Sequence, residues 1–398
     1  MELRDLKAQY QALKTELDAA IAKAVGECSF IGGQQVEELE HALAQYVEVR
    51  HCITCANGTD ALSLVLMAWG IGAGDAVFVP DFTFFATGEA VALAGAEPIF
   101  VDVDEDTFNM DAHALEKSVQ TVLQEGRLTP RAVIPVDLFG LPANYPAIED
   151  IAARYHLRVL EDGAQGLGGS LGGRMSCSFG SAAITSFFPA KPLGCYGDGG
   201  AIFTSDDDLA ALLRSLCVHG KGAHKYDNLR IGRNSRLDTL QAAILLVKLR
   251  AFRRYELERV NQLAHRYGTR LLGAVKPPVI PQGATSSRAQ YTITLPDEVS
   301  RDRVKGVLEG KGIASGIYYP TPLSGQRAFA PFVLRSNPRS PVAERLCRQV
   351  LSLPMHPYLT EEEVDAVAAA VTGALNEAGE NTVNHQNAHK NHPPIFLS

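Results

Sequence analysis

The chain has 398 residues, a formal net charge of -8 at pH 7, 46% hydrophobic residues and 21% charged residues. These values are typical of a globular protein long enough to form two or three domains. The acidic balance disfavours a nucleic-acid-binding surface, and no apolar run approaches the roughly 20 residues of a membrane helix. We therefore expect a soluble protein that binds neither nucleic acid nor membrane.

The first element in the chain is an amphipathic helix, MELRDLKAQYQALKTELDAAIAKAV, which lacks the apolar stretch of a signal peptide. The seven cysteines are odd in number and scattered, and Cys52 and Cys55 lie in a strand-like run, HCITCA. No second cysteine pair or nearby histidine cluster completes a metal site. We expect free thiols, no metal and a cytoplasmic location.

Short β-branched runs alternate with helical patterns between about Val49 and Arg250. The strand-like runs are HCITCA, AVFVP, EPIFVDV, RAVIPVDL, RVLED, AAITSF and AIFTS. The helical runs between them include DALSLVLMAWG, FATGEAVALAG, YPAIEDIAARYH and DLAALLRSLC. This alternation predicts an α/β fold with a mostly parallel, seven-stranded sheet covered by helices.

The chain changes character after a long helical run, TLQAAILLVKLRAFRRYELERVNQLAHRYG. A strand-like AQYTITLP and a helix around Asp302 to Lys311 follow it, and predict a smaller α+β domain. The end of the chain is polar, lacks periodicity and predicts disorder. The expected division is residues 1–250 for the N-terminal helix and large domain, 251–375 for the smaller domain and 376–398 for a disordered tail.

Polar residues follow several predicted strands, and ligands bind beyond the carboxyl ends of strands in open α/β sheets. Gly58 and Thr59 come at a strand-to-helix junction, where free N–H groups and the helix dipole favour an anion. A plain helix cap explains the same residues. Asp162 ends a buried strand and needs a cationic or donor partner, which either a protonated pyridine nitrogen or loop amides can provide.

One lysine, Lys191, lies between two prolines and ahead of four glycines in SFFPAKPLGCYGDGGA, residues 186–201. Proline fixes φ and glycine permits close approach to a ligand, so Lys191 fits a reagent as well as a solvated turn. A phosphate cradle at Gly58 and Thr59, an aspartate for a ring nitrogen and a Schiff-base lysine together match the needs of pyridoxal 5′-phosphate (PLP). Ser186 adds a hydroxyl for the phosphate.

The ordered motifs resemble the DegT/DnrJ/EryC1/StrS family of nucleotide-sugar aminotransferases, which are fold-type I PLP enzymes with an aspartate aminotransferase-like architecture. The resemblance rests on FIGGQQVEELE, CANGTDAL, PDFTFFAT, VLEDGAQ, SFFPAKPLGCYGDGGA, NSRLDTLQAAIL and LSLPMHPYL, and covers the chain up to about Leu375.

The resemblance implies a role for each matching residue. Lys191 forms the Schiff base with the cofactor, Asp162 pairs with the pyridine nitrogen, and Gln165 faces the ring hydroxyl. The remaining matches are Gly58, Thr59 and Ser186 at the phosphate, Phe84 stacked on the ring, and Asn234 reaching the phosphate of the neighbouring subunit. The last role implies a homodimer with shared active sites.

The implied reaction is transamination of a nucleotide-linked ketosugar with glutamate as amino donor. The motifs most resemble enzymes that aminate C3 of UDP-linked 2-acetamido-3-keto sugars, whose products feed lipopolysaccharide as lipid A or O-antigen. The alternatives are the corresponding UDP-uronic acid and a dTDP-linked ketosugar. A dehydratase relative has histidine in place of Lys191, and a non-enzymatic regulator needs an added binding segment, which this acidic chain lacks.

Two features concern the sugar. Tyr318 precedes Tyr319 where many relatives have a histidine near the sugar pocket, which favours the neutral N-acetylglucosamine substrate over the uronic acid. Residues 219–236 carry a basic run, which is either a solvated loop or a partner for the sugar diphosphate. Its members are Lys221, Lys225, Arg230, Arg233 and Arg236, opposed by Asp227. Arg236 is the candidate partner for a C6 carboxylate.

Overall fold

The computed structural model describes residues 1–224, 226–296, 301–336 and 340–388. Its strands are β1 His51–Cys55, β2 Asp75–Pro80, β3 Glu97–Val101, β4 Thr129–Val133, β5 Arg158–Asp162, β6 Ser170–Leu171, β7 Arg174–Met175, β8 Ala182–Ser186, β9 Gly200–Thr204, β10 Ala284–Thr285, β11 Tyr291–Thr294 and β12 Val350–Leu353.

The α-helices of the first part of the chain are α1 Leu6–Gly26, α2 Gln34–Val47, α3 Gly58–Ala68, α4 Phe85–Leu93, α5 Ala112–Glu125, α6 Tyr145–Tyr155 and α7 Asp207–Leu216. Those that follow are α8 Thr239–Ala251, α9 Leu257–Arg270, α10 Arg301–Gly310, α11 Ala330–Ser336, α12 Pro341–Gln349 and α13 Glu361–Ala388.

All seven predicted runs of the large domain form strands of one sheet, in the order β1-β9-β8-β5-β4-β2-β3. The sheet is mostly parallel as predicted, and β9 is antiparallel to both of its neighbours. The reversal follows from the connection between β8 and β9, which is the glycine-rich loop around Lys191 and contains no crossover helix. The first residue of β9 therefore lies at the same sheet edge as the last residue of β8.

Helices cover both faces of this sheet, which is why its strands are apolar on both sides. One core contains residues of α3, α4 and α7, and the core on the other face contains residues of α5 and α6. The N-terminal helix α1 packs against α8 through Leu13 and Leu17 on one side and Ile244 and Val247 on the other. Because α8 in turn packs on the sheet, α1 is fixed relative to the strand ends.

A separate hydrophobic cluster unites α9, α10, α13 and the β11–β12 pair. A π-helical turn at Phe252–Glu256 joins α8 to α9, so the predicted division between residues 250 and 251 falls inside a continuous helical stretch.

The helix α13 continues to Ala388 and so includes residues 376–388 of the predicted tail. The helix starts on a packed segment that buries Val364, Val367 and Val371, and extending an existing helix costs far less than nucleating one. No proline interrupts it before Pro393. Residues 389–398 of the predicted tail lie outside the described residues.

All seven cysteines are unpaired in the structure, and six of them are buried. Within the described ranges, no group of three or more His, Cys, Asp or Glu side chains is arranged to hold a metal ion. In the same part of the chain, no helix combines the length and the apolar character needed to cross a membrane.

Candidate active site

The residues predicted to bind the phosphate lie where the start of α3 meets the last residue of β8 and the first residue of β9. A Cβ added to Gly58 would lie 3.0 Å from the Cβ of Ser186, and one added to Gly200 would lie 2.5 Å from the carbonyl carbon of Asn57. Only glycine permits this approach of the three backbones. Asn57 caps α3 by accepting a 2.7 Å hydrogen bond from the N–H of Asp60, which leaves the N–H groups of Gly58 and Thr59 outside the cap.

The Lys191 loop is a folded turn held at both ends. The N–H of Lys191 donates to the carbonyl of Phe188 at 2.9 Å, and the N–H of Phe187 donates to the carbonyl of Gly199 at 2.8 Å. At the far end, the Gln241 amide of α8 accepts from the Tyr196 N–H at 2.8 Å and donates to the Tyr196 carbonyl at 3.2 Å. The loop therefore presents Lys191 from a fixed backbone.

The surroundings of Lys191 make its neutral form more accessible than that of an ordinary lysine. Burial lowers the pKa of Lys191 to about 8, the nearby Asp162 carboxylate opposes that shift, and the Arg4 guanidinium adds to it. A lysine with this pKa has a usable fraction of free amine near neutral pH.

Asp162, the last residue of β5, is buried with 4% exposure. Thr87 donates to one carboxylate oxygen at 2.9 Å, and the Ala164 N–H donates to the other at 3.2 Å. Burial raises the pKa of Asp162, and these two bonds and the Lys191 charge oppose the rise. The structure therefore gives Asp162 a hydroxyl and a loop amide as partners and also brings it close to Lys191.

Gln165 and the predicted aromatic residues lie beside this pair. The Gln165 side chain accepts from the Phe139 N–H at 2.6 Å and donates to the Tyr319 hydroxyl at 3.3 Å. The rings of Tyr319 and Phe84 have centroids 6.3 Å apart, and Phe84 remains 56% exposed. Tyr318 is half-buried, with its ring centroid 5.8 Å from that of Tyr319.

The structure does not bring Asn234 into this group within one chain. Asn234 is exposed and pairs through its backbone with Val218. Its neighbours do reach the start of α3, because Ser235 accepts from the Ala56 N–H at 3.1 Å and Arg233 pairs with Asp60 at 2.9 Å. Arg236 is half-buried on the same segment. Lys225 of the basic run lies outside the described residues.

Three polar or charged groups around the site were not predicted from the sequence. The Thr87 hydroxyl donates a hydrogen bond to Asp162, and Arg4 donates to the Pro192 carbonyl at 3.1 Å.

The third group is a pair of carboxyl groups, Asp137 and Glu161, which are both buried and share the Ser176 hydroxyl. Glu161 points to the opposite face of β5 from Asp162, since successive side chains alternate along a strand. Burial raises the pKa of both carboxyl groups of this pair. Of these groups, only the carboxyl pair had an indication in the sequence, namely the adjacent acidic residues Glu161 and Asp162.

Comparison with known proteins identifies the family. The model of the DegT/DnrJ/EryC1/StrS aminotransferase family matches residues 11–372. The UDP-2-acetamido-2-deoxy-3-oxo-D-glucuronate aminotransferase of Pseudomonas aeruginosa is 44% identical over 94% of this chain and 99% of its own length. The UDP-N-acetyl-3-dehydro-alpha-D-glucosamine 3-aminotransferase of Acidithiobacillus ferrooxidans is 42% identical over 94% and 97%.

A solved structure has the same fold. The crystal structure of a DegT/DnrJ/EryC1/StrS aminotransferase from Brucella abortus is 50% identical, superimposes with a TM-score of 0.90, and covers 94% of this chain and 99% of its own. The resemblance inferred from the sequence motifs is confirmed, and so is the predicted fold. This chain belongs to the DegT/DnrJ/EryC1/StrS aminotransferase family.

Proposed function

We propose that the protein is a PLP-dependent aminotransferase that converts a UDP-linked 2-acetamido-3-keto sugar to the 3-amino sugar, with glutamate as donor. The observation that carries the proposal is the placement of Lys191 on a loop fixed by backbone bonds, within range of the charge of the buried Asp162 at the end of β5. The two relatives described above both aminate UDP-linked 3-keto sugars by name, which supports the substrate class.

The residues present fit the cofactor. The close approach of Gly58 to Ser186 brings the Ser186 hydroxyl near the amides at the start of α3, and a helix N-terminus favours binding of a phosphate. Asp162 would hold the pyridine nitrogen, Gln165 the ring hydroxyl, and Phe84 the face of the ring. When bound, PLP supplies an electron sink for the amino group that it carries.

The chain's own groups move the proton. Lys191 in its neutral form would remove the proton from Cα of the amino donor, and in its protonated form it would return a proton to the cofactor. Asp162 would hold the pyridine nitrogen, and its negative charge would favour the protonated, electron-withdrawing ring. Because Asp162 is only 4% exposed, this charge interaction would be stronger than it is in solvent.

The identity of the sugar rests on the loop at residues 219–236 and on Tyr318. We propose that the basic side chains of this loop hold the sugar diphosphate, because the loop meets the start of α3 through Ser235 and Arg233. With Tyr318 where relatives have histidine, we favour the neutral 3-keto-N-acetylglucosamine substrate over the uronic acid. The 3-amino product is suited to lipid A or O-antigen synthesis.

We further propose a homodimer in which Asn234 of one subunit completes the site of the other. Asn234 is exposed within its own chain, and three apolar side chains of the same loop are strongly exposed. These are Tyr226 at 87%, Leu229 at 60% and Ile231 at 84%. Exposed apolar clusters of this kind are typical of interaction surfaces.

Unpaired cysteines support a reducing, cytoplasmic location.

The test of this function is a direct assay. The purified enzyme is incubated with glutamate and either UDP-3-keto-N-acetylglucosamine or the corresponding uronic acid, and 2-oxoglutarate is measured. We expect turnover of the neutral sugar, and a dTDP-linked ketosugar serves as comparison. Turnover of the uronic acid alone would overturn the preferred sugar, and turnover of the dTDP sugar alone would overturn the UDP assignment.

A variant sharpens the choice between the two sugars. If Arg236 binds a C6 carboxylate, Arg236→Ala should impair the uronic acid far more than the neutral sugar, because losing the partner of a buried charge costs more than losing a neutral contact. Equal impairment of both would assign Arg236 to the part that the two sugars share.

A further inference from the structure

The N-terminal segment passes along the Lys191 loop and is fixed on both sides of Arg4. Before it, the Leu3 carbonyl accepts from the Met355 N–H at 3.1 Å. After it, the Asp5 side chain caps α1 by accepting from the Ala8 N–H at 2.7 Å. Arg4 therefore extends from a backbone that cannot shift easily.

The Arg4 guanidinium reaches the residue next to the catalytic lysine. Its Nη2 donates to the Pro192 carbonyl at 3.1 Å, across 188 positions of sequence. Proline has no N–H of its own, so this carbonyl is the only backbone polar group with which residue 192 can be anchored. The bond joins the Lys191 loop to α1 and, through Leu3, to the segment around Met355.

Several charged and titratable groups lie near Arg4. Glu256, in the π-helical turn between α8 and α9, is 3% exposed and accepts from Gln9 at 3.0 Å and from the Tyr358 hydroxyl at 2.6 Å. Glu256 and Tyr358 favour the charged form of Arg4, against a burial that lowers the pKa of Arg4 to about 10.

Arg4 also acts on three basic groups. Its charge adds to the effect of burial in lowering the pKa of Lys191, of Lys248 and of His356. Lys248 is itself 1% exposed and lies 4.8 Å above the Tyr196 ring, at the far end of the Lys191 loop. The charges of Arg4 and Asp162 thus act on the Lys191 amine in opposite directions, since Arg4 lowers its pKa and Asp162 raises it.

We propose that Arg4 is a positioning residue for Lys191, because it holds the carbonyl of the next residue, Pro192, and carries a positive charge into the surroundings of the lysine. The proposal rests on the proposed function, in that Lys191 must be the residue that carries the cofactor and moves the proton. Arg4 touches neither substrate nor cofactor in this role. It sets where the amine points and how readily it is protonated.

The test uses the holoenzyme and three variants of one residue. Arg4→Met removes both the bond and the charge, Arg4→Lys keeps the charge, and Arg4→Gln keeps a donor without charge. The matched control is Lys7→Met, since Lys7 is an exposed cation on the same segment. Two readouts need no sugar substrate. They are the pH midpoint of the visible band of the lysine-bound cofactor and the single-turnover rate with glutamate.

We expect Arg4→Met to slow the glutamate half-reaction about tenfold, because a misplaced reacting group loses rate steeply. Its spectral midpoint should rise by about half a pH unit, because a nearby cation disfavours protonation of the nitrogen. Arg4→Lys should keep the wild-type midpoint, Arg4→Gln should shift it, and Lys7→Met should change nothing.

Wild-type rate and midpoint in Arg4→Met would overturn the proposal. A common loss of thermal stability in all three variants with an unchanged midpoint would also overturn it, because that pattern marks a structural role only. If Arg4→Met fails to fold, the comparison of Arg4→Lys with Arg4→Gln decides by the midpoint. A wild-type protein without any visible band would instead count against the proposed function.

Discussion

A lysine acts as a base only when it is neutral, and the pKa of Lys191 is lowered to about 8 chiefly by burial. Lys191 owes its place to backbone bonds of its loop rather than to bonds made by its own side chain. Removing the side chain should therefore abolish chemistry without unfolding the protein.

We predict that Lys191→Ala loses the yellow absorbance of the holoenzyme and all transamination, because Lys191 is the group placed to move the proton. Absorbance spectra, the 2-oxoglutarate assay and thermal melting measure the three effects, with the exposed Lys7→Ala as control. An active Lys191→Ala enzyme would refute the assignment of the catalytic lysine.

His356 is a second residue whose environment disfavours charge. It is 5% exposed, and its Nδ1 has no hydrogen-bond partner among the described residues. Burial lowers the pKa of His356 to about 4, helped by Arg4 and opposed by Asp5 and Glu363. Its ordinary pKa near 6.5 applies in the unfolded chain.

The folded-state and unfolded-state pKa values of His356 determine how its protonation changes the stability of the protein. Between pH 6.5 and about 4 the unfolded state binds more protons than the folded state, so stability falls as the pH falls through this window. We predict that His356→Leu reduces this acid destabilisation by up to about 3 kcal/mol. Melting temperatures at pH 7.5, 5.5 and 4.5 measure it, with the exposed His265→Leu as control. An unchanged pH dependence in His356→Leu would show that other groups cause the destabilisation.

At the scale of elements, the site forms where α3, β8 and β9 converge, and Gly58 permits that convergence. A methyl group on Gly58 would meet the Cβ of Ser186 at 3.0 Å, a distance tighter than ordinary van der Waals contact. The strand end and the helix start must then separate by a few tenths of an ångström, which disturbs the amides proposed to bind phosphate.

We predict that Gly58→Ala weakens cofactor binding at least tenfold, because hydrogen bonds to a charged group depend on placement. Cofactor release monitored by fluorescence or absorbance gives the dissociation constant. Gly306→Ala in α10 is the matched control, since an added methyl there meets nothing within 4 Å. If Gly58→Ala bound the cofactor with wild-type affinity, the cofactor phosphate would have to bind at a different place.

At the scale of the whole molecule, the position of Asn234 determines whether a single chain contains all the residues of the proposed site. Asn234 and the apolar tip of its loop face solvent in the single chain, while Lys191 and Asp162 lie at the sheet edge. A second subunit that covers this loop would bury the apolar side chains and bring its own loop to the first subunit's site.

We predict that a mixture of Lys191→Ala and Asn234→Ala chains, unfolded and refolded together, recovers part of the activity that each variant lacks alone. One site of the mixed dimer then has both residues intact, and the other has both substitutions. Activity assays and native mass spectrometry of the mixed species measure the result. Confirmed mixed dimers without activity would mean that each site is built within one chain.

The sequence alone determined the features that depend on local patterns. The seven strands of the sheet, the Lys191 loop and the polar strand ends all follow from hydrophobic periodicity and from the positions of glycine and proline, which act within a few residues. Lys191 and Asp162 stood out for this reason, and the structure places them near each other. Residues 376–388 belong to α13 in the structure, and helix continuation from a packed segment is a contribution that the local sequence pattern does not show.

Only the tertiary structure decided which distant groups meet. The pairing of β9 with β1, the Thr87 hydroxyl on Asp162, the buried pair of Asp137 and Glu161, and the bond from Arg4 to Pro192 all join segments far apart in sequence. In the sequence, Arg4 is an ordinary charge near the start of an amphipathic helix. Its role depends on how α1 packs on α8 and brings the N-terminal segment to the Lys191 loop. Such a contact has no local signal, because hydrogen bonds and charge interactions depend on distance in space and not along the chain.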